Sequence, residues 1–102
     1  MEDHVVNDAE NNRYVLMRGE EVLGEAEYEL DDRVIRFVHT SVPDIGEKGL
    51  GSKLASGALD SVRADGTRSV VAICPFIRGY IDKHEEYQDL LDDSVPPEGQ
   101  QA

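Results

Sequence analysis

The stretch Gly49-Leu-Gly-Ser-Lys-Leu-Ala-Ser-Gly-Ala-Leu-Asp-Ser-Val-Arg-Ala64 and the short apolar run after it decide the fold of this 102-residue chain. The apolar residues of the stretch recur at spacings of three and four, which places them on one face of a helix. Gly66 is suited to the left-handed conformation that commonly ends a helix. The run Ser69-Val-Val-Ala-Ile-Cys74 is apolar after its first residue, as is typical of a strand buried on both faces. We therefore predict a helix followed by a buried strand.

Three strands are predicted before this helix and a second helix after the buried strand. Arg13–Met17 is a short apolar strand, and residues 22–30 alternate between apolar and acidic side chains. Val34–His39 is rich in β-branched and aromatic residues. Short turns join the three strands, so we expect an antiparallel three-stranded meander. Pro75 suits the first position of the second helix. The order β-β-β-α-β-α predicts an α+β domain.

The negative charge is concentrated at the two ends of the chain. The net charge is −12, and the residues 1–12 and 85–102 contain ten acidic side chains and no Lys or Arg. Acidic segments without apolar periodicity are typical of solvated tails. We predict disordered acidic tails at residues 1–10 and 92–102 around a folded domain at 11–91. A chain trimmed to about residues 11–92 is expected to fold.

Composition also excludes several function classes. The chain lacks the basic surface that binds nucleic acid through phosphate contacts. It has no apolar run of the ~18 residues that a membrane span needs. Its single cysteine cannot form an internal disulfide and fits a reducing compartment. We therefore expect a cytoplasmic protein that binds neither nucleic acid nor membrane.

Gly49-Leu50-Gly51 is the strongest local signal for a binding site. Glycines at the start of a helix let the backbone approach a phosphate group, and the free N–H groups of the helix then bind the anion. Lys48 and Lys53 flank the site and add positive charge. The alternative is that the glycines only shape a loop. The spacing matches neither the dinucleotide-binding fingerprint nor the Walker loop.

Cys74 and His39 are the candidates for chemistry. Cys74 directly precedes Pro75, so we expect it at a helix N-cap, where the helix dipole favours the thiolate. A thiolate is a suitable nucleophile for acyl transfer. The alternative is a buried cysteine that behaves as a small hydrophobic residue. His39 ends the third strand, where it is a candidate base, the alternative being a structural histidine. No grouping of side chains has metal-ligand spacing, so we predict no metal.

These segments together resemble a known family. Phe37-Val-His-Thr40, Glu47-Lys-Gly-Leu-Gly-Ser-Lys53 and Cys74-Pro-Phe76 with the Tyr80-Ile81-x-x-His84-x-x-Tyr87 pattern are similar to the small GCN5-related N-acetyltransferases of the YjdJ type. The resemblance covers about residues 11–91. It implies a minimal fold of this family with acetyl-CoA between two splayed strands.

The resemblance also implies roles for individual residues. The pyrophosphate of acetyl-CoA would lie on the backbone around Lys48, Gly49, Gly51, Ser52 and Lys53. Cys74 would face the thioester, with an acetyl-cysteine intermediate as one route, and His39 would be the neighbouring base.

We therefore expect an enzyme that transfers an acetyl group from acetyl-CoA to an unidentified amine, on a small molecule or a macromolecule. One alternative is a non-catalytic module that binds acetyl-CoA or CoA. Another is an acidic interaction protein in which the glycine loop is incidental. Only the enzyme requires a reactive Cys74 or another productive route to an acceptor.

Overall fold

A mixed five-stranded sheet with two helices forms the domain, which a computed structural model describes over residues 3–42 and 49–91. The strands are β1 (Asp3–Asp8), β2 (Arg13–Arg18), β3 (Glu21–Leu30), β4 (Val34–Ser41) and β5 (Ser69–Ala72). The helices are α1 (Leu50–Asp65) and α2 (Pro75–Lys83), and short 3₁₀ helices span Ala9–Asn11 and Glu85–Leu90. The strands follow chain order across the sheet, β1 to β4 antiparallel and β5 parallel to β4. The predicted α+β class is confirmed, but the meander has four strands instead of three.

Helix α1 packs its apolar side against the sheet, as its periodicity predicts. All six residues of the predicted face are buried: Leu50, Leu54, Ala55, Ala58, Leu59 and Val62. They join a core that includes Leu16 and Phe37 from the sheet. Gly66 ends the helix at φ +71°, and its N–H donates to the carbonyl of Val62 over 3.1 Å. Burial of this face, not intrinsic propensity, therefore fixes the helix on the sheet.

The first residues of the chain are the main correction to the sequence-based expectation. Residues 1–10 were expected to form a disordered acidic tail, but Asp3–Asp8 is an edge strand that pairs with β2 along its whole length. The Asp3 side chain is only 5% exposed and forms ion pairs with Arg18 (2.7 Å) and Lys53 (2.9 Å). These partners hold the pKa of Asp3 well below its ordinary value. The acidic residue is therefore an anchor, and removing residues 1–10 would remove a strand.

Val5 of β1 packs directly on the backbone of α1 at Gly57. A Cβ atom placed on Gly57 would lie 2.6 Å from the Cβ of Val5, closer than real side chains approach. Gly57 lowers the helix propensity of α1, and its absent side chain is what lets β1 dock. The glycine thus couples the helix to the edge strand.

The segment after α2 is fixed by two contacts with α1. The hydroxyl of Tyr87 donates to the carboxylate of Asp60 over 2.8 Å, and Arg63 pairs with Asp89 at 2.8 Å. Burial and the Asp60 carboxylate raise the pKa of Tyr87 to about 12. Leu91, the last residue that the structure describes, forms a β-bridge with Val70. The predicted acidic tail at 92–102 lies outside the described residues.

We predict that Gly57→Ala destabilises the protein although alanine favours helices. The new methyl group must displace Val5, and overpacking of this kind costs about 1–3 kcal/mol. Gly79→Ala in α2 is the matched control, because a Cβ there meets nothing within 4 Å. The control should be neutral or gain up to about 1 kcal/mol. Urea unfolding of both variants measures the difference, and equal effects would show that β1 does not dock on α1 at Gly57.

Candidate functional site

Strands β4 and β5 diverge after a short parallel ladder. Their paired register ends at Phe37 and Ala72, while β4 continues to Ser41. The carbonyl of Phe37 accepts two hydrogen bonds, from the N–H of Ile73 (3.1 Å) and of Cys74 (2.8 Å). The chain after β5 therefore turns into α2 and leaves the end of β4 without its neighbour. This divergence forms the splayed strands expected from the sequence.

Cys74 lies at the point of divergence. It is the N-cap residue of α2, with Pro75 at the first helical position, which confirms the predicted placement. The side chain is buried, 5% exposed, and Sγ donates to Oγ1 of Thr40 over 3.2 Å. Thr40 belongs to the part of β4 beyond the ladder, so this hydrogen bond spans the gap between the two strands. Thr40 belongs to the segment Phe37-Val-His-Thr40, but the sequence alone predicts no role for it.

His39 lies on the other face of β4. It is exposed and pairs across the sheet with Glu27, whereas Thr40 pairs with the buried Ala26. Neighbouring residues of a strand point to opposite faces. The structure therefore does not bring the His39 side chain to the Cys74 thiol, whose hydrogen-bond partner is Thr40.

The start of α1 presents unpaired backbone donors to the same region. Gly49 is the N-cap residue at φ +85°, a conformation that favours glycine, and its carbonyl accepts the N–H of Lys53 over 3.0 Å. The first-turn N–H groups, including those of Gly51 and Ser52, have no partner within a helix. The first turn contains no acidic residue. The arrangement suits an anion, because these N–H groups and the helix dipole are both positive.

Gly51 has a second structural role in contact with α2. A Cβ atom on Gly51 would lie 2.6 Å from Cζ of Phe76, so the aromatic ring occupies the space of a side chain. Phe76 is 43% exposed despite this contact. The two glycines therefore act differently: Gly49 permits the backbone turn, and Gly51 permits the close approach of the two helices.

Of the two lysines predicted to flank the phosphate site, the structure describes only Lys53. Lys53 lies at the end of the first turn of α1. It forms an ion pair with Asp3 at 2.9 Å, so its charge is already partly neutralised. Lys48 lies outside the described residues. A third lysine, Lys83, has no ion-pair partner among residues 3–42 and 49–91.

A cavity of about 260 Å³ separates the start of α1 from α2. Its lining includes Ser52, Phe76, Tyr80 and Lys83. The Tyr80 ring stacks on His84 with centroids 3.9 Å apart, and His84 Nδ1 lies 2.7 Å from the Tyr80 carbonyl. Sequence reasoning assigned no binding role to Phe76 or Lys83. Their spacing along the exposed side of α2, opposite the buried Ile77 and Ile81, was the available signal.

Two features are absent from the described part of the chain. Within the described ranges, no three His, Cys, Asp or Glu side chains are grouped so that they could hold a metal ion. Neither α1 nor α2, nor any other helix of the described part, is long and apolar enough to cross a membrane.

The chain is similar to a known family and to solved structures. Residues 13–90 match the family model described as GCN5-related N-acetyl-transferase. The solution structure of a GCN5-like protein from Staphylococcus aureus has a similar fold, with a TM-score of 0.66 and 24% sequence identity. That alignment covers 97% of this chain and 96% of the other. No curated protein matches the sequence significantly.

Proposed function

The chain belongs to the GCN5-related N-acetyltransferase family, whose enzymes use acetyl-CoA as the acetyl donor, and we propose that it binds acetyl-CoA between the diverging strands β4 and β5. It transfers the acetyl group to an amine carried by a small molecule or a macromolecule. The single cysteine of the sequence supports a cytoplasmic setting.

The observation that supports this proposal is that the start of α1, the cavity lined by Lys83 and the Cys74 turn all adjoin helix α2. The first-turn N–H groups of α1 suit the pyrophosphate, and the space beside Gly49 is open to it, since a Cβ there would meet nothing within 4 Å. The exposed Lys83 lines the neighbouring cavity and supplies a positive charge for a further phosphate. Cys74 lies at the N-cap of α2, where β4 and β5 separate. A long cosubstrate with anions at one end and a thioester at the other fits this order.

We propose that the acetyl group passes from acetyl-CoA to the amine through Cys74. The sulfur attacks the thioester carbon, a new C–S bond forms, and CoA leaves with the proton that Cys74 gives up. Thr40 relays that proton: as its oxygen, 3.2 Å from Sγ, takes the thiol hydrogen, its hydroxyl gives its own proton to the departing CoA sulfur. The amine then attacks the acetyl-cysteine, and the amide forms as the sulfur leaves and regains a proton.

His39 has no role in the proposed transfer through Cys74. It lies on the opposite face of β4 from Thr40, beside Glu27, and therefore away from both the thiol and the acetyl group that the thiol would carry.

A non-catalytic module that binds acetyl-CoA is the second candidate. The burial of Cys74 and its hydrogen bond to Thr40 favour it, since a buried, bonded thiol is also what a structural cysteine shows. Both candidates need the start of α1, and only the first needs the sulfur.

We predict that Gly51→Val weakens acetyl-CoA binding by tenfold or more, about 1.4 kcal/mol. The added side chain displaces the Phe76 ring toward the cavity and covers the first-turn N–H groups. The fold should persist because Phe76 is partly exposed and free to move outward. Ala64→Val, exposed near the other end of α1, is the matched control. Calorimetry measures both affinities, and unchanged affinity in folded Gly51→Val would move the phosphates elsewhere.

We predict that incubation with acetyl-CoA adds one acetyl group to Cys74, and that hydroxylamine removes it. Intact-mass measurement detects the adduct, which should be absent from Cys74→Ala while acetyl-CoA binding is largely retained. If Cys74→Ala acetylates an acceptor at the parent's rate, transfer is direct and the sulfur is dispensable. If neither protein transfers acetyl to any amine tested, the binding module is the better assignment.

A further inference from the structure

A second cavity lies at the far end of α1 from the proposed acetyl-CoA cleft. Its volume is about 210 Å³, and its walls come from the last turns of α1 and from strands β1 to β4. It shares no lining residue with the cavity beside Ser52 and Phe76. Nothing in the proposed acetyl transfer uses it.

The floor of this second cavity is apolar and rigid. Tyr14, Tyr28 and Ile35 are each at least 95% buried, and the two tyrosine rings lie 5.3 Å apart between centroids. Val62 of α1 closes the opposite wall. Leu30 lines the same cavity with 48% of its surface exposed. A cavity of about 150 Å³ already holds a benzene molecule in a known protein core, so this floor accommodates one branched or aromatic side chain.

Tyr14 brings a hydroxyl group to the lining of this cavity. Its side chain is only 5% exposed and lines the cavity, yet the hydroxyl has no hydrogen-bond partner among residues 3–42 and 49–91. The hydroxyl of Tyr28, by contrast, donates to Oδ1 of Asn7 over 2.6 Å. Although the residue is buried as a whole, the Tyr14 hydroxyl is not itself a buried atom, so it is open to the cavity and available to water or to a polar group there.

The cavity carries one charge of each sign. Arg68 uses Nε to donate to the carbonyl of Asp31 over 2.9 Å, and no described residue pairs with its terminal N–H groups. Asp65 accepts the hydroxyl of Thr67 through one carboxylate oxygen, which leaves the other oxygen unused. Both side chains line the cavity on either side of the turn at Gly66. Both groups are open to solvent, and a ligand with a carboxylate and an ammonium group would complement the two charges together.

We propose that this second cavity binds a free α-amino acid with an apolar side chain. The side chain lies on the floor formed by Tyr14, Tyr28 and Ile35. The α-carboxylate binds the terminal N–H groups of Arg68 and the Tyr14 hydroxyl, and the α-ammonium binds Asp65. The site is independent of the acetyl-CoA cleft and stands whether or not the acetyl transfer does.

Titration of the full-length, ¹⁵N-labelled protein with L-leucine tests the proposal. Saturable amide shifts are expected around Tyr14, Tyr28 and residues 61–68, both with and without acetyl-CoA present. Two analogues test the paired charges: 4-methylpentanoate lacks the ammonium group, and 3-methylbutylamine lacks the carboxylate. Each should bind at least threefold more weakly, a modest factor because the ion pairs are partly exposed.

Two variants test the individual contacts. Tyr14→Phe keeps the ring and removes the hydroxyl, so leucine affinity should fall roughly three- to tenfold. Arg68→Gln should lower it by about tenfold, whereas Arg33→Gln, an exposed matched control, should not change it. Thermal unfolding checks that each variant is folded. Absence of leucine shifts at this cavity, or equal binding of leucine and 4-methylpentanoate, would overturn the proposal.

Discussion

The carbonyl of Phe37 sets the geometry on which the site depends. By accepting the N–H groups of both Ile73 and Cys74, it ends the β4–β5 ladder and starts the chain toward α2. The end of β4 remains paired with β3 but has no neighbour on its β5 side, and Thr40 meets the thiol of Cys74 across that opening. The same turn brings α2 beside the start of α1, where Phe76 packs on Gly51. One shared acceptor thus aligns the thiol, the free N–H groups and the cavity between the helices.

Local patterns in the sequence predicted the parts of this arrangement that local forces determine. The buried face of α1 follows from residue spacing alone, and the N-cap position of Cys74 follows from the adjacent Pro75. The glycines at the start of α1 were identified for the same reason. The roles of Thr40 and Lys83 were missed because strand register and helix docking bring them to the cleft. The strand register of Thr40 is not visible within a short window of sequence, and the helical spacing of Lys83 does not show which other helix it faces.

The first strand shows why composition misled at the N-terminus. A count of acidic residues treats Asp3 as solvated, but the fold surrounds its carboxylate with Arg18 and Lys53. Since the pKa of Asp3 is lowered in the folded state, these ion pairs stabilise the fold above pH ~4 and lose that effect as the carboxylate is protonated at lower pH. Docking of Val5 on Gly57 requires a contact between residues distant in sequence. The ion pair with Asp3 also occupies Lys53. Of the described lysines, Lys83 is therefore the one best suited to bind a phosphate.

The most direct test of the account is to locate acetyl-CoA on the full-length protein by amide chemical-shift mapping. Binding between the diverging strands predicts saturable shifts in three segments together: residues 38–41 at the end of β4, residues 49–53 at the start of α1, and residues 73–80 through the Cys74 turn. Shifts confined to other parts of the sheet, or no saturable shifts at all, would contradict the central claim that the Phe37 divergence creates the cosubstrate site.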